Sequence, residues 1–251
     1  MVSRGPALSP ERVALIQWTV RLGAVTAEAL AISQDATLAS ARGRLQAAVR
    51  AGLLVRQRPL ADHPTLYVAS RAGMRRCGLS GLDQCRVSAA AAHHLIVCAV
   101  SASALERCYP THRVLGEREL RREEREWGEP MVSARLGVGA RGEPLLHRPD
   151  LVLWPYQADA DLPVAVEVEL TIKAPQRLID ICRAWSRCRT VAGVLYIAPP
   201  EVRRALARAI ARANAGERIV VIGLDALPRC PPAIFATPAY RCPESIVPRS
   251  P

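Results

Sequence analysis

The sequence predicts an α+β/α/β protein of two domains, a small α+β module followed by a larger α/β domain. Three observations lead there. Helix-start signals and a hairpin turn punctuate residues 1–80, strand-like and helix-like stretches alternate from residue 149 onward, and a Ser- and Ala-rich stretch at 81–92 lies between them. With 251 residues, half of them apolar and 23% charged, the chain can bury two cores and is neither collagenous nor a coiled coil. No stretch of about 18 uncharged apolar residues is apparent on the usual membrane-span criterion. Met1-Val2-Ser3-Arg4-Gly5-Pro6 lacks the apolar run of a signal peptide, so a cytoplasmic location is expected.

In the first domain, Ser9-Pro10-Glu11 pairs a capping residue with Pro at the first helical position, and Val13, Ile16, Trp18, Val20 and Leu22 supply an apolar face up to Gly23. Thr26-Ala27-Glu28-Ala29-Leu30 begins a short second helix. A third runs from about Ala36 to Ala51, with Leu38, Leu45 and Val49 inward and Arg42, Arg44 and Arg50 outward or flanking. Leu53-Leu54-Val55 and Thr65-Leu66-Tyr67-Val68 flank the polar turn at Ala61-Asp62-His63-Pro64 and read as a hairpin.

Charge is unevenly spread. Residues 1–80 carry 11 Arg against 4 acids, out of a whole-chain excess of +11, which favours a polyanion over a membrane as partner. Two short helices, a basic third helix and a basic hairpin resemble a winged helix-turn-helix domain over residues 1–80. That resemblance implies double-stranded DNA as the partner, with Arg42, Arg44 and Arg50 on the reading helix and Arg56 and Arg58 on the wing. The bland alternative is a structural three-helix module with solvated arginines.

The eight cysteines include no CxxC pair, so they are read as reduced thiols that mostly fill core space. His93-His94 opens an apolar helix through Leu95, Ile96, Val97, Val100 and Leu105. Adjacent helical side chains diverge by about 100° and cannot form one bidentate pair, so both are read as packing or interdomain hydrogen-bonding residues. The run from Arg113 to Glu126 is read as a solvated charged face. Beyond it come a strand at 150–154, a strand at 163–173, a helix at 175–188, a strand at 191–198, a helix at 200–213 and a strand at 218–224. The second domain thus spans 93–227, and a Pro-rich tail covers 228–251.

The most informative stretch is Pro163 to Lys173. On a strand, Val164, Val166, Val168, Leu170 and Ile172 share one face, while Glu167, Glu169, Thr171 and Lys173 share the other. If the strand that begins at Pro149-Asp150 pairs with it as a hairpin, Asp150 comes near Glu167 and Glu169. Three carboxylates at one sheet end form an oxygen-rich site suited to Mg²⁺ or Mn²⁺. Lys173 is the single Lys among 34 basic residues, a compact ammonium in a chain that otherwise uses Arg.

Pro149-Asp150, Glu167, Glu169 and Lys173 resemble the PD-(D/E)xK nuclease superfamily, which implies a restriction-endonuclease-like α/β fold, acids that bind metal and a Lys that assists the attacking water. Here the Lys stands four residues after the second Glu instead of two. Together with the N-terminal module, Gly116-Glu117-Arg118-Glu119-Leu120-Arg121, His147-Arg148-Pro149-Asp150 and Glu167-Val168-Glu169-Leu170-Thr171-Ile172-Lys173 resemble the replication-relaxation family of plasmids and integrative elements. The resemblance implies DNA binding in replication or maintenance of mobile DNA, with a metal-dependent endonuclease or nickase as the activity. It also makes Glu119, or Glu117, a further candidate ligand. Arg177, on the helix after the site strand, is expected to hold a phosphate. The alternative is a non-catalytic replication or transcription regulator whose nuclease fold is inactive and serves for homodimerisation or partner binding, a reading the displaced Lys favours.

Overall fold

The computed structural model describes residues 7–79, 81–156 and 162–229. The chain divides into two compact units, Met1–Ser103 and Ala104–Pro251.

Each of the first four helices starts on a hydroxyl side chain. Ser9 caps α1 (Pro10–Leu22) by accepting the Arg12 N–H, Thr26 caps α2 (Ala27–Ser33), Thr37 caps α3 (Leu38–Arg50) and Ser70 caps α4 (Arg71–Arg76). Such caps are worth about 1 kcal/mol apiece and fix where each helix begins. Gly23, at φ 83°, ends α1 in a backbone conformation that side chains disfavour. The chain then contributes β1 (Ala24–Val25), β2 (Leu54–Gln57) and β3 (Leu66–Ala69) to an antiparallel sheet of order β1-β3-β2. The hairpin was legible in sequence; the two-residue β1 is too short to show any period. Ile16, Leu30, Leu45, Leu53, Tyr67 and Met74 form the core. Gly73 lets α4 press against the loop before β2, since a Cβ there would meet the Leu53 carbonyl oxygen at 2.3 Å.

The inward face of α3 is Ala41, Leu45 and Ala48. Leu38, expected inside, is exposed because it occupies the first helical position, before the helix turns onto the core. The segment expected to be a linker at 81–92 already contains the start of α5 (Ala89–Cys108), so the helix opens four residues before His93. Ala92 and Ile96 pack with Ala24, Leu66 and Val68, which draws the helix's first half into the N-terminal unit and moves the boundary past residue 92. Contrary to the sequence expectation, α5 is long and apolar enough to cross a membrane by length and composition, at a mean hydropathy of 1.3. Half of that stretch is buried within the protein, as in a core helix.

The second unit runs β4 (His112–Gly116), α6 (Glu117–Trp127), β5 (Ala134–Val138), β6 (Pro144–His147), β7 (Leu151–Pro155), β8 (Val164–Val168), α7 (Pro175–Arg187), β9 (Gly193–Ala198), α8 (Pro200–Ala213), β10 (Ile219–Gly223) and a short 3-10 helix, Leu224–Arg229. A mixed five-stranded sheet has the order β10-β9-β8-β7-β4. Its β8-β9-β10 side is parallel and its β8-β7-β4 side antiparallel. Strands β5 and β6 form a separate hairpin. Strand β8 is buried throughout, and Trp185, Tyr196, Leu178, Ile181 and Leu206 fill the core beside it.

Three expectations change here. Strand β8 ends at Val168, and Ile172 is 61% exposed, so the alternation drawn through Lys173 stops early. The charged run at 113–126 is a strand and a helix with Glu119, Leu120 and Glu124 buried, because only part of α6 faces solvent. Cys108 is disulfide-bonded, whereas Cys77, Cys85, Cys98, Cys182 and Cys188 remain thiols; the lack of a CxxC pair excludes only short-range bridging. The Pro-rich tail, from residue 230 on, lies outside the described residues.

Candidate functional site

The β7–β8 hairpin carries the site. Its register pairs Leu151 with Val166, so Asp150, one residue before β7, comes to the end of β8 where Glu167 stands. Asp150 Oδ2 accepts the Val168 N–H at 2.8 Å, a contact that pins the carboxylate to that strand end. Helix α6 begins at the same place, since the Glu117 N–H donates to the Asp150 carbonyl at 3.0 Å.

Glu167 is 4% exposed. Its Oε1 accepts the Trp185 indole N–H at 3.1 Å and lies 2.7 Å from His147 Nε2. The His147 and Trp185 rings meet edge to face at 5.9 Å. Burial pushes the Glu167 carboxyl above its ordinary range, opposed by the charge and hydrogen bond of His147. For His147 the balance runs the other way: burial disfavours the imidazolium, but the Glu167 carboxylate outweighs it and the pKa is raised. Tyr196, which pairs with Glu167 across the parallel β8–β9 register, has its phenol driven up by burial first and by Glu167 next. The Cys182 thiol is pushed up to about 11 for the same two reasons.

Glu169 follows β8 directly. It is 5% exposed, its N–H donates to the Ile197 carbonyl at 3.0 Å, and its Oε2 is paired with Lys173 Nζ. Lys173 therefore reaches the acidic edge, although it comes from the turn before α7 and not from the strand. Glu119 is buried in the first turn of α6, 4.0 Å from Arg113 on β4; Glu117 is half-buried and paired with Arg121. Arg177 is exposed in the first turn of α7.

Each candidate carboxylate has its own protein donor: a backbone amide for Asp150, His147 and Trp185 for Glu167, and Lys173 for Glu169. All three offer only carboxylate oxygens, the ligand type that a hard divalent cation takes. Sequence reasoning did not assign roles to His147 and Trp185. The first stands three residues before Asp150 in His147-Arg148-Pro149-Asp150, and the second lies within the helix expected at 175–188.

In the first unit, Arg42, Arg44 and Arg50 are exposed on α3, and Arg56 and Arg58 are exposed on and after β2. Arg42 lies 3.7 Å from Glu28, Arg44 donates to Gln34 at 2.5 Å, and Arg58 donates to the Ala61 carbonyl at 3.0 Å. These contacts lean on surface partners that a stronger anion can displace. His94 lies 3.3 Å from Cys98 one turn on, and His93 stacks edge to face with His63 at 5.3 Å.

No family model matches the chain, and no curated protein matches it in sequence. Among solved structures, the chain is similar to the crystal structure of protein VC1899 from Vibrio cholerae, at a TM-score of 0.35 and 10% identity. That match covers 90% of this chain and 56% of the other, so this chain spans little more than half the length of that protein. Likeness at that level carries no functional argument.

Proposed function

We propose that the chain is a cytoplasmic DNA-binding protein of mobile-element replication or maintenance, as the resemblance to the replication-relaxation family implies. In this reading the first unit is a winged helix that grips duplex DNA, and the second is a PD-(D/E)xK-type nuclease domain that nicks or cuts it. The observation that carries it is the β7–β8 register, which gathers Asp150 to the strand end bearing Glu167, with Glu169 and its partner Lys173 immediately beyond.

Asp150, Glu167 and Glu169 hold Mg²⁺ or Mn²⁺ in this reading. The bound cation supplies Lewis-acid stabilisation of charge on the phosphodiester. Lys173 orients the attacking water or offsets developing negative charge. Trp185 and His147 fix the Glu167 carboxylate, and the buried setting excludes bulk water from it. Arg177 holds a neighbouring phosphate, and Glu119 stands by on α6. In the first unit, Arg42, Arg44 and Arg50 approach the groove of duplex DNA while Arg56 and Arg58 contact its backbone.

Incubation of supercoiled plasmid with the protein and Mg²⁺ or Mn²⁺ tests the reading. Relaxed or linear product is expected from wild type and none from Asp150→Ala or Lys173→Met, with duplex affinity changed less than about twofold, since metal-site and phosphate contacts are separable. Equal cleavage by both variants removes the nuclease.

One observation favours the second reading, a regulator with an inactive nuclease fold. Glu167 is already engaged by His147 and Trp185, and Glu169 by Lys173, so the acidic edge is satisfied without a cation. Calorimetric titration with Mg²⁺ separates the two, because an inactive scaffold gives no saturable heat.

A further inference from the structure

Several helix arginines stand beside an acid. Arg121 pairs with Glu117 and Arg122 with Glu126 at 3.5 Å on α6, and Arg183 pairs with Asp180 at 3.5 Å on α7. Even Arg42 on α3 has Glu28 at 3.7 Å. Helix α8 differs in carrying three exposed arginines at four-residue spacing. Arg204, Arg208 and Arg212 are all exposed, and among the described residues none of the three makes a side-chain ion pair or hydrogen bond. The acid on α8 is Glu201, in the first turn.

Spacing of four residues puts the three guanidinium stems on one stripe, each about 6 Å further along the helix axis. Like charges at that spacing work against the helix, offset only in the last turn, where Arg212 complements the helix dipole. The opposite side of α8 already packs the core through Val202, Leu206 and Ala209. Ala207 and Ala211, also exposed, add no bulk beside the stripe. Three exposed cations at regular spacing along one stripe match the repeated charge of an external polyanion.

The topology says where such a ligand would run. Strands β8 and β9 are parallel, with Val168 level with Ile197, so β9 ends at the sheet edge that carries Glu167 and Glu169. Helix α8 starts two residues after β9 and runs back antiparallel to it. Arg204 is therefore nearest the acidic edge, and Arg212 is the farthest of the three, about 12 Å further along the axis.

We propose that the outer face of α8 is a second contact surface for the DNA backbone, in which Arg204, Arg208 and Arg212 bind successive phosphates leading away from the acidic edge. This rests on the reading that the chain binds DNA, and it adds a grip within the second unit. The same chain would then hold DNA at two faces, one on each unit.

The test measures affinity for a 30-base-pair duplex as a function of salt, using the full chain. Wild type is compared with the triple variant Arg204→Gln, Arg208→Gln, Arg212→Gln and with a charge-matched control, Arg86→Gln, Arg125→Gln, Arg141→Gln. Loss of three phosphate contacts lowers the slope of log affinity against log salt by about 2.7 and weakens binding at least about tenfold at 0.1 M salt. The control is expected to keep the wild-type slope. An unchanged slope in the α8 variant, or an equal fall in the control, overturns the proposal while leaving DNA binding intact. If wild type itself shows no salt-dependent affinity, the underlying DNA-binding reading fails instead. Because all three side chains are exposed, circular dichroism should show the α8 variant folded at least as stably as wild type.

Discussion

Glu124 and Glu167 lie in the same unit, 5% and 4% exposed, but different kinds of donor hold them. Glu124 takes the Met131 and Val132 N–H groups and the Ser133 hydroxyl on Oε1, and Arg148 Nε at 2.8 Å on Oε2. Those donors are two backbone amides, a hydroxyl and a guanidinium, a set of fixed hydrogen bonds spread over both carboxylate oxygens. Glu167 instead faces an imidazole, which can lose its proton, and one indole N–H. The first arrangement ties the loop at 130–133 and residue 148 to α6. The second leaves a buried carboxylate with a raised pKa at the mouth of the sheet, a setting common where a group must exchange partners. Burial alone does not separate scaffold from site; the protonation behaviour of the partners does.

The contrast can be broken most directly at Glu124. Glu124→Ala strands the Arg148 guanidinium and three donors, and is expected to cost about 3 kcal/mol in urea denaturation. Trp185→Phe removes the indole donor from Glu167 and should cost about 1–2 kcal/mol. It should also weaken any divalent-ion binding, which calorimetry would register.

A pH titration sharpens the comparison further. Both Glu167 and His147 have raised folded pKa values, so the folded pair holds protons at pH values where the unfolded chain has released them. The His147 contribution is fully present below its ordinary value of 6.5 and is lost as pH rises through its folded value. The burial cost of Glu167 grows as pH climbs from 4.5 toward its own folded value. Stability should therefore fall with rising pH, from 4.5 upward on account of Glu167 and from 6.5 upward on account of His147, by less than about 1.4 kcal/mol per unit for each proton. His147→Gln should flatten that fall, and a profile unchanged by the substitution would contradict the pairing. Smallest of all is Glu167→Gln, expected within about 1 kcal/mol of wild type because the amide oxygen still accepts from Trp185 and no buried carboxylate remains to be ionised. A loss as large as that of Glu124→Ala would make the two carboxylates equivalent.

Much of this arrangement could be read from the chain. Capping residues announced α1 and α2, and the polar turn at 61–64 announced the β2–β3 hairpin. The strand–helix alternation from residue 149 onward gave β7 through β10 to within a few residues, except at the end of β8. That strand was drawn too long because apolar–polar alternation continues to Ile172 after hydrogen bonding to β9 has ended, and a side-chain pattern does not record where a neighbour stops. The nearness of Asp150 to β8 followed from a hairpin argument, whereas the partners of Glu167 did not. His147 sits on β6 and Trp185 on α7, and one sequence carries no sign that they meet at the same oxygen. The burial of Glu119, singled out only through the resemblance, and of Glu124 was hidden for a related reason: in a run as charged as 117–126, the residues that turn inward look like those that stay outside.

The pairing order of the larger sheet also bears on how the protein is made. In the first unit, β2 and β3 are joined by a short turn and can close as soon as both have left the ribosome. Strand β8, all of it buried valine, alanine and glutamate, sits between β7 and β9, and β9 follows only after the whole of α7. Until residue 198 is synthesised, one flank of β8 is an open apolar edge, a template for pairing with other nascent chains. A stop codon between α7 and β9 should therefore yield an aggregating product, whereas one placed after β10 should leave the sheet closed.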